Sequence, residues 1–193
     1  MKKLRTPPSP MPRRVHGQSG AALIIGLIFL VIITMTGITA ARMSSLEERM
    51  SGNMRDRAIA LQAAEMALRD AERDINNASG AVSARISGLT NFSADCGAST
   101  GTTDDDGLCY NGVAGYGTAI WTTADMTAAP SVAYGDHTSA ADIPLVSAQP
   151  RYIIEGMKKT PPGETDKYFY RITVRAQGAN ANTVVWLQEL MVP

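Results

Sequence analysis

The stretch GAALIIGLIFLVIITMTGITAAR, Gly20 to Arg42, decides the fold. The 21 residues from Ala21 to Ala41 carry no charge. As a helix rising about 1.5 Å per residue they reach roughly 31 Å, the thickness of a bilayer core. A secretory apolar region usually runs only about 7 to 15 residues. This run is diluted only by Thr34, Thr36 and Thr39, toward its end, so it reads as a membrane anchor. The small residues Thr39-Ala40-Ala41 also fit a signal-peptidase site, and a cleaved signal stays as the alternative.

Upstream lies a basic, proline-rich leader, residues 1–20, with Lys2, Lys3, Arg5, Arg13 and Arg14 and no acid. Five of the 18 basic side chains sit there, so the rest of the chain sets 13 basic against 18 acidic, a net −5. Basic flanks stay on the cytoplasmic side of a span. The expected topology is therefore N-terminus in and the following domain outside. No basic stripe marks the remainder, which argues against nucleic acid as a partner. The only two cysteines, Cys96 and Cys109, have twelve residues between them and lie in the exported portion. A disulfide is expected, and closing so short a loop stabilises by about 3 kcal/mol in the chain-entropy model.

Downstream of the anchor, Met43, Leu46, Met50, Met54, Ala58, Leu61, Ala64, Leu68, Ala71 and Ile75 advance in steps of three or four and mark one face of a helix. The packing face is assigned to Met43, Leu46, Met50, Met54, Leu61, Leu68 and Ile75, set against the folded domain, other helices or both. Proline is absent from Arg13 through Ala129, so one helix can run from Ala21 to Asn77, roughly 85 Å at the same rise. Asn76-Asn77-Ala78-Ser79-Gly80 supplies its stop. Gly37 and Ser51-Gly52-Asn53 are candidate points of bending. Residues 78–150 are rich in small and polar residues and read as loops and short irregular strands. The closing segments RYIIEGM, YFYRITVRAQ and TVVWLQELMV read as three antiparallel strands over 151–193. In the second, Tyr170, Ile172 and Val174 share one face and Arg171, Thr173 and Arg175 the other. The expected fold is α+β, a long N-terminal helix, membrane half (21–41) and amphipathic stem (42–77), packed on a C-terminal antiparallel sheet.

With these parts assembled, the chain resembles the type IV pilin-like proteins, and more specifically the PilX minor pilins. The resemblance is carried by Gly20 closing a basic leader, by SLEERMSGNMRDRA at 45–58 and by QAAEMALRDAE at 62–72. It implies that a prepilin peptidase cuts after Gly20, that Ala21 becomes an N-methylated N-terminus, and that the anchor later packs inside a fibre. Most pilins carry glutamate at the fifth mature position, thought to pair with the N-terminal amine of the adjacent subunit. Here that position is Ile25. The same absence marks the tip pseudopilin of type II secretion, so the resemblance implies a distal, first-in position.

The implied function is a structural, assembly-priming minor pilin at or near the pilus tip, supporting biogenesis, twitching motility and adhesion. Its implied partners are other minor pilins, the major pilin, a large adhesin-like tip protein, the prepilin peptidase and, before assembly, the inner membrane. The head lies in the periplasm and then at the cell surface. Alternatives are a type II secretion tip pseudopilin, whose family carries a larger inserted domain, and a bitopic periplasmic adaptor or sensor that keeps its leader. No catalytic residues, metal or cofactor are assigned. Asp104-Asp105-Asp106-Gly107 lacks the order of a calcium loop and reads as solvated. Glu47-Glu48-Arg49 and Asp56-Arg57 read as charge pairing on a stem surface rather than as a reactive cluster. No nucleophile stands beside a base, and the glycosylation pattern at Asn77-Ala78-Ser79 and Asn91-Phe92-Ser93 reads as chance.

Overall fold

The computed structural model describes residues 19–76, 85–98, 106–110 and 119–192. These fall into two compact bodies, Met1–Arg49 and Met50–Pro193. Helix α1, Ser19–Ile75, contributes to both and runs unbroken through Gly37 and Gly52. Among the described residues nothing lies within 4 Å of where a Cβ on either glycine would stand. The helix ends at Ile75, two residues before the expected end. The other four residues of the expected stop signal, 77–80, lie outside the described residues.

In the second body the described elements after α1 are β1 (Leu108–Cys109), a 3₁₀ turn (Ile120–Thr122), β2 (Val132–Ala133), β3 (Arg151–Lys159), β4 (Lys167–Gln177) and β5 (Val184–Met191). β3, β4 and β5 form an antiparallel meander, with Tyr152 opposite Val174, Ile154 opposite Ile172 and Val174 opposite Leu187. β1 runs parallel to β3, and β2 runs antiparallel to it. The three long strands are the three expected over 151–193. The two-residue strands fall in the region where short irregular strands were expected, and only their positions were not legible, because two residues cannot show a period.

Alternation divides the sheet into two faces. Tyr152, Ile154, Tyr170, Ile172, Val174 and Ala176 are buried on one face and share a core with Ala63, Ala64, Ala67, Ala71 and Ile75 of the helix. Large side chains thus come from the sheet and small ones from the helix. A methyl-sized surface lets the helix approach closely enough to bury tyrosine, isoleucine and valine, which carry most of the hydrophobic gain. On the opposite face Ile153 packs with Cys96, Cys109 and Met126, against Ile120, Trp121 and Ala124. Cys96 and Cys109 are joined in a disulfide. Because Cys109 belongs to β1, the bond ties the 93–98 turn to the sheet.

This packing corrects which helix face meets the sheet. Met43, Leu46, Met50 and Met54 are more than 60% exposed and Leu61 is 40% exposed; Leu68 is half-buried and Ile75 buried. The face actually covered centres on Ala60, Ala63, Ala64, Ala67 and Ala71. At 3.6 residues per turn it is rotated from the expected stripe by roughly a quarter of a turn. Alanine carries too little apolar weight to stand out in a sequence pattern, while methionine and leucine drew the eye to the flank.

Candidate functional site

Among the described residues the first body is the apolar helix. It is long and apolar enough to cross a membrane, and its spanning window is entirely unburied within the chain. The polar side chains inside it are internally satisfied. Thr34 donates to the Val31 carbonyl (2.9 Å), Thr36 to those of Ile32 (3.0 Å) and Ile33 (2.9 Å), and Thr39 to that of Met35 (2.8 Å). In hydrocarbon an unpartnered hydroxyl is costly, and these return bonds remove that cost. Gly20 and Ala21 lie in the first turn of α1, where backbone N–H groups have no intrahelical acceptor. Ile25 lies a turn further on and is 54% exposed. It extends the apolar surface where a carboxylate would have broken it.

In the second body three acidic residues of the stem hold loops from distant parts of the sequence. Asp56 accepts the Asn180 backbone N–H (3.1 Å) from the β4–β5 turn. The Thr183 hydroxyl and that turn's amides hold its carboxyl below the usual range. Asp70, 1% exposed, accepts the Gly135 N–H (2.9 Å) and the Thr138 hydroxyl. Asp74 forms a buried two-point pair with Arg85 and accepts the Tyr152 hydroxyl (3.1 Å). Arg85 also donates to the Asp106 carbonyl (2.8 Å). Burial, reinforced by Asp74 and Asp70, pushes the Tyr152 hydroxyl strongly up, so it stays protonated and donates. Buried charges of this kind persist because each is paired or hydrogen-bonded.

The sequence reading missed Asp70 and Asp74. The one available signal was two acids four apart, interrupting an otherwise alanine-rich face. Asp56, assigned to charge pairing on the stem, instead holds a hairpin turn. Across the sheet, Glu155 accepts two bonds from Arg171 (2.8 Å each) and the Ile120 N–H (2.6 Å), anchoring the 3₁₀ turn. His137 lines a pocket of about 370 Å³ with Asp106, Ser131, Asp136 and Arg151. Burial, then Arg85, pushes its imidazole down, which keeps it neutral at pH 7. Asn91 of the second glycosylation pattern donates its side-chain amide to the Arg85 carbonyl (3.2 Å). Leader residues 1–18, the first glycosylation pattern, Asp104 and Asp105 lie outside the described residues. Thus the acidic side chains with buried contacts serve as fasteners, and among the described residues most of the large exposed apolar side chains run along the helix from Leu23 to Met54.

A long helix, membrane-competent in its N-terminal part and laid from Ala60 onward on a mostly antiparallel sheet, defines a pilin-like α+β protein. Residues 19–69 match the PilX N-terminal family and residues 89–193 the C-terminal part of the type IV pilus assembly protein PilX. The chain belongs to the PilX family of type IV pilus assembly proteins. No curated protein and no solved structure matches it.

Proposed function

We propose that this protein is a low-copy minor pilin that primes assembly of the type IV pilus and occupies its tip. The prepilin peptidase removes residues 1–20, Ala21 becomes the methylated N-terminus, and the anchor passes from the inner membrane into the fibre. The observation that carries the tip position is Ile25. Its side chain gives a neighbour's amine nothing to pair with, whereas its own Ala21 amine can still meet the glutamate of another pilin. Such a subunit is favoured at one end of a fibre and disfavoured along its length. Other minor pilins, the major pilin and a large adhesin-like tip protein are the partners this reading requires, with motility and adhesion as its downstream effects.

Two measurements test it. Mass spectrometry of the membrane-bound protein should find Ala21 as the N-terminus. Met1 would support a retained anchor, and Arg42 an ordinary signal peptide. Immunogold labelling of sheared pili, with subunit counting, should place the protein at fibre ends, and its deletion should reduce pilus number more than pilus length. Labels spaced evenly along the shaft, at a copy number rising with fibre length, would refute the tip position.

A further inference from the structure

On the sheet face turned away from the helix, Trp186 of β5 is 45% exposed. Trp121, in the 3₁₀ turn, stands beside it with ring centroids 6.0 Å apart and planes inclined by 52°. With Thr122, Asp125, Thr127 and Arg175 the two indoles line a pocket of about 380 Å³. Both rings are mounted on fixed supports. Trp186 lies opposite Arg175 in the β4–β5 register. The turn bearing Trp121 is pinned through Ile120 by Glu155, itself clamped by Arg171, and it packs on the disulfide cluster. With Trp186 exposed and Trp121 half-buried on fixed supports, the rings cost little ordering entropy when something stacks on them.

The polar groups beside the rings select the occupant. Among the described residues neither indole N–H and no guanidinium nitrogen of Arg175 has a hydrogen-bond partner. Asp125 accepts the Thr127 N–H (2.7 Å), the Thr127 hydroxyl (2.7 Å) and the Ala128 N–H (3.2 Å) on Oδ1, leaving Oδ2 open among those residues. A cation would be repelled by Arg175 and an anion by Asp125. A purely apolar ligand would desolvate both charges without replacing their bonds. What fits is a neutral ring with apolar C–H faces and hydroxyls at its rim. The faces lie on the indoles, one hydroxyl donates to Asp125 Oδ2, and another accepts from Arg175. A few convergent polar groups beside an aromatic wall are the usual composition of a small-ligand pocket.

We propose that the Trp121–Trp186 pocket binds a neutral pyranose sugar. The binding does not depend on where the subunit sits in a fibre, so it stands or falls separately from the tip position. The chain has only two tryptophans, so indole fluorescence of the unlabelled, detergent-solubilised full chain reports this pocket alone. Galactose, mannose and N-acetylglucosamine should be titrated, with glycerol as a polyol control and a proline-rich peptide as a competing class of ligand. At least one sugar should give a saturable change in the millimolar range, and glycerol none. Arg175→Ala and Asp125→Asn should each weaken that response about tenfold or more, and Trp186→Ala should abolish the change at Trp121, all with unchanged melting temperature. No saturable response to any of the three sugars would overturn the proposal. So would a response that the three variants leave intact, or saturation by the peptide in place of the sugars.

Discussion

Glu189 faces the helix from β5, opposite Ile172 in the sheet register, and shares a hydrogen bond with Glu72. Burial first, then the charge and hydrogen bond of Glu72, raises its carboxyl above the ordinary value. A raised carboxyl means that the folded chain holds a proton the unfolded chain has already released. Stability therefore falls as pH rises from the unfolded value, about 4.3, through the folded one, and the penalty persists above it. Glu189→Gln keeps a hydrogen-bonding amide and removes the penalty. It should raise the melting temperature near neutral pH. At about pH 4, where the native carboxyl is protonated, wild type and variant should melt together. An equal gain at both pH values would mean that proton binding is not its cause. The pair was not legible from the sequence, since nothing in the spacing of Glu72 and Glu189 brings them together. What makes it matter is the strand register, which turns Glu189 inward.

Among elements, the second strand of the meander was readable because period-two alternation survives in YFYRITVRAQ, and its buried face with Tyr170, Ile172 and Val174 follows from it directly. RYIIEGM was readable as a short apolar run and is buried on both faces. The stem was readable as a helix but not in its orientation, since hydrophobic weight pointed to Met54 and Leu61 while close approach selected the alanines. Asp70 and Asp74 sit on that close-approach face, and their partners at 135–138, 85 and 152 are brought to them only by the tertiary fold. The Cys96–Cys109 link was expected from export and spacing, but the cluster it supports was not. Buried Met126 and Ile153 surround the sulfurs, so the bond joins a turn, β1 and the support of the 3₁₀ turn. With a sequence separation of 13, the closed loop is worth about 3 kcal/mol in the chain-entropy model. Cys96→Ser with Cys109→Ser should lower the melting temperature of the detergent-solubilised chain by about 6–12 °C. Thiol trapping of the native protein without reductant should label neither cysteine. Full labelling of both, or a double variant that melts with the wild type, would contradict a structural role for the bond.

In the whole molecule, two flanks of one stem have different duties. The alanine flank is consumed by the chain's own sheet: Ala67 is fully buried in the shared core, and a larger side chain there must displace other members of that core. Overpacking of this kind costs about 1–3 kcal/mol. The methionine flank lies open among the described residues, with Met50 62% and Met54 67% exposed. If the subunit enters a fibre as proposed, that flank is the apolar surface left to pack on neighbouring helices, and burial there gains roughly 1.5–3 kcal/mol for each large side chain. Loss of an ion pair at Ile25 can then be offset by packing along the stem. Ala67→Leu should therefore lower the melting temperature of the isolated protein. Met50→Gln with Met54→Gln, both good helix formers, should leave melting unchanged within about 0.5 kcal/mol, as exposed substitutions usually do. The same double variant should be recovered in sheared pili at a small fraction of the wild-type amount while its level in the membrane is maintained. Normal recovery in pili would show that the methionine flank is not an assembly surface. A lowered melting temperature would show that it is part of the head's own core.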